Sequence, residues 1–309
     1  MKILVTGGAG YVGSVLVPML LARNYQVRVL DNLMYGGRGL LPCFASRNLE
    51  FMKGDVRDEA AYARALEGAE VIVNLAAIVG YPACKKDARQ AEEINVGGVR
   101  NLVRLRKKDQ LILQASTGSN YGAVLGDLCT EETPLSPLTV YGRTKTEAEQ
   151  VLRSAGNVVM YRFATAFGVS NRMRLDLLIN DFVHQAVKIR NLVVYEKTFK
   201  RTFLNVRDLA ASFLFAIDHA DTMRDQTYNV GHESMNASKE EIAQLIRKKF
   251  DFYLHFAEVG EDEDKRNYEV SYEKIRKTGY QPTVSLDEGI DELIRSMAVV
   301  EIRNEFNNV

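Results

Sequence analysis

The chain has 309 residues, 46% hydrophobic and 26% charged, enough for one large domain or two coupled ones. Lys and Arg balance Asp and Glu at 40 each, which excludes the basic excess of a nucleic-acid binder. Three scattered cysteines (Cys43, Cys84, Cys129) suggest a reducing compartment, and four histidines without ligand spacing give no expectation of a metal site. No apolar run approaches the ~20 residues of a membrane span, and the chain enters "KILVTGG" without a basic leader, so a soluble cytoplasmic protein is expected.

Strand-like and helix-like segments alternate from the start. "KILVTG" has strand character, "YVGSVLVPMLLARN" has helical length and spacing, and "QVRVLDN" and "LEFMKGDV" read as strands. A helix "DEAAYARALEG", a buried strand "EVIVNLAA" and a long helical segment over about 87–108 follow. Next come the strand "QLILQAS", a helix from near Tyr141 and the strand "NVVMYRFAT". This alternation predicts right-handed crossovers and an α/β fold, a Rossmann-like doubly wound parallel sheet. Beyond about residue 168 the pattern breaks into helices near 175–190, 206–220, 238–250 and 285–300, with short strands such as "LVVYE", "TYNV" and "YLHFAEV" between them. Capping boxes start two of these helices, Ser238 with Glu241 and Ser285 with Glu288. The reading is a dinucleotide domain over 1–168, with segments returning to it from about 192–230, and a smaller α/β substrate lobe mainly over 169–309. That lobe closes a cleft over the carboxyl ends of the strands.

"TGGAGYVG" joins the first strand to the first helix. Gly7, Gly10 and Gly13 permit a tight turn, close approach of a pyrophosphate and close helix packing. The free N–H groups of the helix start then face the phosphates. Asp31 ends the second strand, where a carboxylate accepts both hydroxyls of an adenosine ribose and repels a 2′-phosphate, favouring NAD over NADP. Asp55, after the third strand, meets the adenine or caps a helix; the sequence leaves both open. In "YGRTK", Tyr141 and Lys145 are four apart and share a helix face. An ammonium beside a phenol stabilises the phenolate, which equips Tyr141 to take a hydroxyl proton.

These features recur in order with "NLAA" at 74–77, Asn95 in "INV", "STGSNYG" and "RTFLNVRDLA". The ordered set resembles the extended short-chain dehydrogenases/reductases of the NAD-dependent epimerase/dehydratase family, over nearly the whole chain. The resemblance implies a third catalytic group at Thr117, four before the "YG" tyrosine. It implies an NAD site formed by Gly7, Gly10, Tyr11, Val12, Gly13, Asp31, Asn32, Asp55, Val56, Leu75, Ala76, Ala77, Asn95, Ser116, Tyr141, Lys145 and Phe163. It also implies a nucleotide-diphosphate sugar, with Ser119, Thr165, Arg172, Arg174, Asn180, Arg201 and Arg266 on the substrate side, and a homodimer through the two long helices.

Sugar dehydratases of that family carry Asp-Glu directly after the catalytic Thr. Here those positions are Gly118 and Ser119, neither able to protonate a leaving hydroxyl, so 4,6-dehydration is not expected. The remaining chemistry is hydride transfer at one carbon, C4, as epimerisation or net oxidation. "NRMRLDLLINDF" at 171–182 is similar to enzymes acting on GDP-heptoses and favours a GDP-linked sugar. A reductase of a non-sugar carbonyl and a non-catalytic NAD-binding scaffold are the competing readings; the intact Tyr-Lys pair argues against the scaffold.

Overall fold

The computed structural model describes residues 1–122, 128–258, 269–301 and 308. Seven parallel strands form the main sheet: β1 (Lys2–Thr6), β2 (Gln26–Asp31), β3 (Leu49–Lys53), β4 (Val71–Asn74), β5 (Leu111–Thr117), β6 (Val158–Phe163) and β7 (Gln226–Val230). Their order is β7-β6-β5-β4-β1-β2-β3. The chain therefore winds outward from β1 to β3, then crosses back and winds the other way from β4. The crevice beyond the carboxyl ends of β1 and β4 is where such a sheet takes ligands.

The central strands β1, β4, β5 and β6 are largely apolar because both faces are covered, whereas the edge strand β3 has no buried residue. Alternate residues serve alternate layers. Ile3, Val5, Val27, Val29, Val71 and Val73 pack under helix α1 (Gly13–Ala22) and a later helix, Val206–Asp218. Leu4, Leu30, Ile72 and Ile112 pack on the opposite face with Tyr62, Leu102 and Leu152. One polar row crosses the sheet near its carboxyl edge: Thr6 Oγ1 donates to Asn74 Oδ1 (2.7 Å), and Asn74 Nδ2 donates to Gln114 Oε1 (2.8 Å). It keeps every buried donor on β1, β4 and β5 paired just below the crevice.

The long segment expected over about 87–108 is helical over 88–105, with a wide π-type turn at Glu93–Gly97. Such turns bulge one residue out of helical register and recur at functional positions. A short helix, Tyr81–Lys86, precedes it. Helix α2 (Val140–Ala155) begins under the cap of Thr139, whose side chain accepts from Gly142 N.

The second region is built on its own core, around Ile179, Phe203, Ile242, Ile246, Ile290 and Leu293. It holds a three-stranded sheet (Thr165–Phe167, Lys200–Asn205, Asn236–Ser238) and a parallel pair, Asn191–Tyr195 with Tyr253–Ala257. Both capping boxes form, Ser238 with Glu241 and Ser285 with Glu288. Segment 191–195 lies in this region, whereas 206–218 and 226–230 lie on and in the large sheet. The Asp208 carboxylate ties the regions together by accepting from Thr283 N, Thr283 Oγ1 and Val284 N. Among the described residues no helix is long and apolar enough to cross a membrane, and the three cysteines are buried and form no disulfide.

Candidate active site

One cavity runs along the carboxyl edge of the sheet. The glycine loop forms its floor, because that loop leaves no room for side chains. Gly7 has φ +69°, and a Cβ there would lie 2.8 Å from the Ala76 backbone. A Cβ on Gly13 would lie 2.5 Å from Gly8. Helix α1 starts without a side-chain cap, so its first turn at Tyr11–Gly13 faces the cavity bare. Asp31 closes one end. Its Oδ2 accepts from Ala9 N (2.9 Å) and its Oδ1 from Leu33 N (2.8 Å). Each oxygen keeps a lone pair for a ligand hydroxyl. Burial raises the Asp31 pKa against those bonds. Beside it, Asn32 Nδ2 donates to Asp55 Oδ2 (3.0 Å). The hydrogen bonds from Arg57 hold the Asp55 carboxyl down at about 2. Asp55 caps no helix; that role falls to Asp58, which accepts from Ala60 N and Ala61 N.

The other end is built by β5 and α2. Thr117 is the last residue of β5 and caps the tight turn Gly118–Tyr121: its Oγ1 accepts from Ser119 N and donates to Ser119 Oγ, both at 3.1 Å. Helix α2 meets this turn end-on. A Cβ on Gly142 would sit 2.9 Å from Pro137 Cβ and 3.0 Å from Ser119 O, so only glycine lets the helix start come this close. That contact sets Tyr141, the preceding residue, into the same cavity as Thr117 and Ser119. Lys145 follows one turn later, 4% exposed. Burial draws its pKa down to about 8, opposed by the charge of Glu149. It is a desolvated cation beside a phenol, the pairing that stabilises a phenolate.

Of the residues singled out in the sequence, Gly7, Gly10, Tyr11, Val12, Gly13, Asp31, Asn32, Asp55, Val56, Leu75, Ala76, Ala77, Ser116, Thr117, Ser119, Tyr141, Lys145, Phe163, Thr165, Arg172 and Arg174 all line this cavity. A second cleft opens from it past Thr165 and Arg174 and is lined by Arg201, Lys85 and Lys239. Two expected ligand residues lie behind the wall instead. Asn95, in the π-type turn, accepts from Ile78 N and donates to Ile78 O and Thr144 Oγ1, so it braces the loop after β4. Asn180 accepts from Gly168 N and donates to Arg174 O and the Tyr11 hydroxyl, which uses its whole amide on protein partners. Arg266 lies outside the described residues.

Glu149 was not singled out, though it stands on the Tyr141–Lys145 face of α2, one turn further on. It is 2% exposed and accepts from Ser116 Oγ (2.5 Å), Asn120 Nδ2 (2.7 Å) and Arg162 Nη2 (2.8 Å). The carboxylate thereby holds the end of β5 at Ser116 and the following turn at Asn120. Among the described residues, no group of three or more His, Cys, Asp or Glu is placed to hold a metal.

An elongated anionic dinucleotide fits this geometry: a glycine path without side chains, a bare helix start for phosphates, and a carboxylate with spare lone pairs at the ribose end. Known proteins agree. A "Low-salt glycan biosynthesis protein" of Haloferax volcanii is 29% identical over 308 residues, covering 95% of this chain and 97% of its own. The structure of UDP-glucose 4-epimerase from Thermus thermophilus in complex with NAD superposes with a TM-score of 0.85 at 25% identity, covering 97% of this chain and 100% of that one. The dTDP-glucose 4,6-dehydratase of Streptomyces venezuelae, also with NAD bound, gives 0.84 at 27% identity over 96% of each chain. Residues 3–231 match the sequence pattern of one family, and on that match and this fold the chain belongs to the NAD dependent epimerase/dehydratase family.

Proposed function

We propose that this chain binds NAD along the glycine loop and oxidises a nucleotide-diphosphate sugar at C4, as a 4-epimerase or C4 dehydrogenase. When bound, NAD accepts the hydride from the sugar carbon. Tyr141 takes the hydroxyl proton, Lys145 stabilises the resulting phenolate charge, and Thr117 orients the hydroxyl through its Oγ1. Asp31 holds the adenosine ribose. The second cleft, with Lys85, Arg201 and Lys239, suits the substrate's diphosphate and nucleoside. A GDP-linked sugar follows from the "NRMRLDLLINDF" resemblance, and a homodimer from the helices at 88–105 and 140–155.

The observation that carries the reaction type is where the carboxylates stand. Among the described residues lining the reaction cavity, Asp31 and Asp55 are the only acidic side chains. Asp31 ends β2, three strand spacings from Thr117 on β5, roughly 14 Å away. Asp55 lies beyond β3, further still. In the adjoining cleft Asp176 is held by Arg174 at 2.5 Å, and Asp181 accepts from Gln185 Nε2 (2.7 Å). This placement of the carboxylates supports oxidation and reduction over the elimination of water.

Tyr141→Phe tests this. The variant should keep the affinity for NAD and lose at least about 100-fold in turnover of UDP-, GDP- or dTDP-sugars. Turnover near wild type would refute Tyr141 as the base, and a 4-keto-6-deoxy product from the native chain would refute the exclusion of dehydration.

A further inference from the structure

Arg172 is a strongly buried cation of the cavity whose forked donors the surrounding protein leaves incomplete. It is 4% exposed. Its Nη1 donates to Met173 O (3.2 Å), but among the described residues Nε and Nη2 have no hydrogen-bond partner. Burying forked donors without an acceptor is costly, more so for a charged group. The arrangement makes sense when an anion completes it.

The segment that carries Arg172 is tied to the helix start. The Tyr11 hydroxyl donates to Gly168 O (2.7 Å), and Ser170 Oγ donates to Tyr11 O (2.7 Å). Ser14 Oγ and Ser170 Oγ share a hydrogen bond of 2.8 Å, and Arg172 N donates to Ser14 Oγ (3.1 Å). On the other side the loop after β2 closes in: the Arg172 guanidinium stacks 4.4 Å from the centre of the Tyr35 ring, and Gly39 leaves room for the Arg172 Cβ. Arg172 therefore lies over the first turn of α1, between Asp31 at the ribose end and Arg174 towards the second cleft, and it feels the charge of both. The stretch of a dinucleotide that spans those points is its diphosphate. A bare helix N-terminus and an unsatisfied guanidinium converge there from opposite sides.

We propose that Arg172 donates Nε–H and Nη2–H to the cofactor's diphosphate, and that residues 168–174 form a strap that keeps the dinucleotide bound through turnover. This rests on the reading of the glycine-loop cavity as the NAD site. It assigns Arg172 to the cofactor rather than to the nucleotide sugar.

The test compares the native chain with Arg172→Met, both stripped of cofactor, by NADH fluorescence titration and competition with ADP, adenosine, UDP and GDP. The variant should bind NADH and ADP at least about tenfold more weakly, with adenosine, UDP and GDP within about twofold of wild type. NADH release in stopped flow should accelerate correspondingly. An ADP-to-adenosine preference equal to wild type overturns the proposal, as does a loss confined to UDP and GDP. If Arg172→Met does not fold, Arg172→Lys keeps the charge but not the fork. It should lose at least about threefold for ADP relative to adenosine, and an unchanged ratio overturns the proposal there too. A native chain that binds no NADH would instead refute the cofactor-site reading itself.

Discussion

Glu149→Gln should destabilise the chain by about 3 kcal/mol or more, although no atom of Glu149 lines the cavity. The carboxylate is 2% exposed and so is its partner Arg162. It receives Arg162 through Nη2 at 2.8 Å and Nε at 3.2 Å, and also serves Ser116 and Asn120. Glutamine keeps the volume and one acceptor, but its amide nitrogen turns a donor towards the guanidinium. Arg162 is then a buried cation without a counter-charge, left with the one amide oxygen, Glu131 O and the Tyr121 hydroxyl, a loss on the order of 3–5 kcal/mol. At about 1.5 °C per kcal/mol for a chain of this length, the midpoint should fall by roughly 5–8 °C. Urea unfolding of Glu149→Gln, Arg162→Met and the double variant measures it. Removing the stranded charge should make the double variant about 2 kcal/mol better than the sum of the singles. Additive losses, or a single variant within about 1 kcal/mol of wild type, would refute the claim that this ion pair supports the turn.

Two further outcomes follow from the same corner. Gly142→Ala places a methyl 2.9 Å from Pro137 Cβ and 3.0 Å from Ser119 O, so the start of α2 must retreat from the 118–121 turn. Steady-state kinetics should show turnover reduced by about tenfold or more with NAD affinity unchanged, since small misplacements of a reacting group are expensive; wild-type turnover would show the close approach is not needed. Lys145 makes the chain without cofactor more stable as pH rises. The folded chain releases this proton from about pH 8, whereas the unfolded chain holds it to ~10.4, so between those values the unfolded state binds more protons. Relative to Lys145→Met, native stability should climb by up to about 1.4 kcal/mol per pH unit in that window. Parallel pH profiles would show that Lys145 is not desolvated.

The parts of the site legible in the sequence are those whose chemistry and local spacing coincide. The glycine loop had to sit between a strand and a helix, and a tyrosine and lysine four apart had to share a face, so Gly7, Gly10, Gly13, Tyr141 and Lys145 were found together. The parallel sheet was legible for a similar reason, because its central strands read as apolar runs, whereas its seventh strand, Gln226–Val230, lies beyond the alternating pattern that breaks near residue 168. Asn95 and Asn180 show where such reading stops. Both belong to the right elements, but one side of a helix faces the cavity and the other braces its wall, and spacing alone does not say which. Glu149 had the right spacing and was still missed, since a carboxylate on a helix is ordinarily solvated; only the fold brings Arg162 under it. Asp55 shows the reverse: a helix does begin nearby, but at Asp58, three residues on.

The buried arginines sharpen that distinction between wall and site. Among the described residues Arg28, Arg162, Arg172 and Arg201 are each less than a tenth exposed. Arg28 gives Nη1 to the carbonyls of Arg64, Ala65 and Glu67 at the end of a helix and meets Glu50 through Nε at 2.9 Å. Arg162 is spent on Glu149, Glu131 O and Tyr121. Arg162 is complete without a ligand, and Arg28, whose Nε faces Glu50 without a well-aligned hydrogen bond, has its charge matched by that carboxylate. Arg172 is equally buried but keeps two donors idle over a bare helix N-terminus. As residue types Arg28, Arg162 and Arg172 are alike, and what separates them physically is the supply of acceptors around each. A guanidinium that folding desolvates without satisfying raises the free energy of the empty chain, and the same deficit strengthens its hold on an anion. That is the physical reason to expect the dinucleotide to be a lasting part of this protein rather than a substrate that comes and goes.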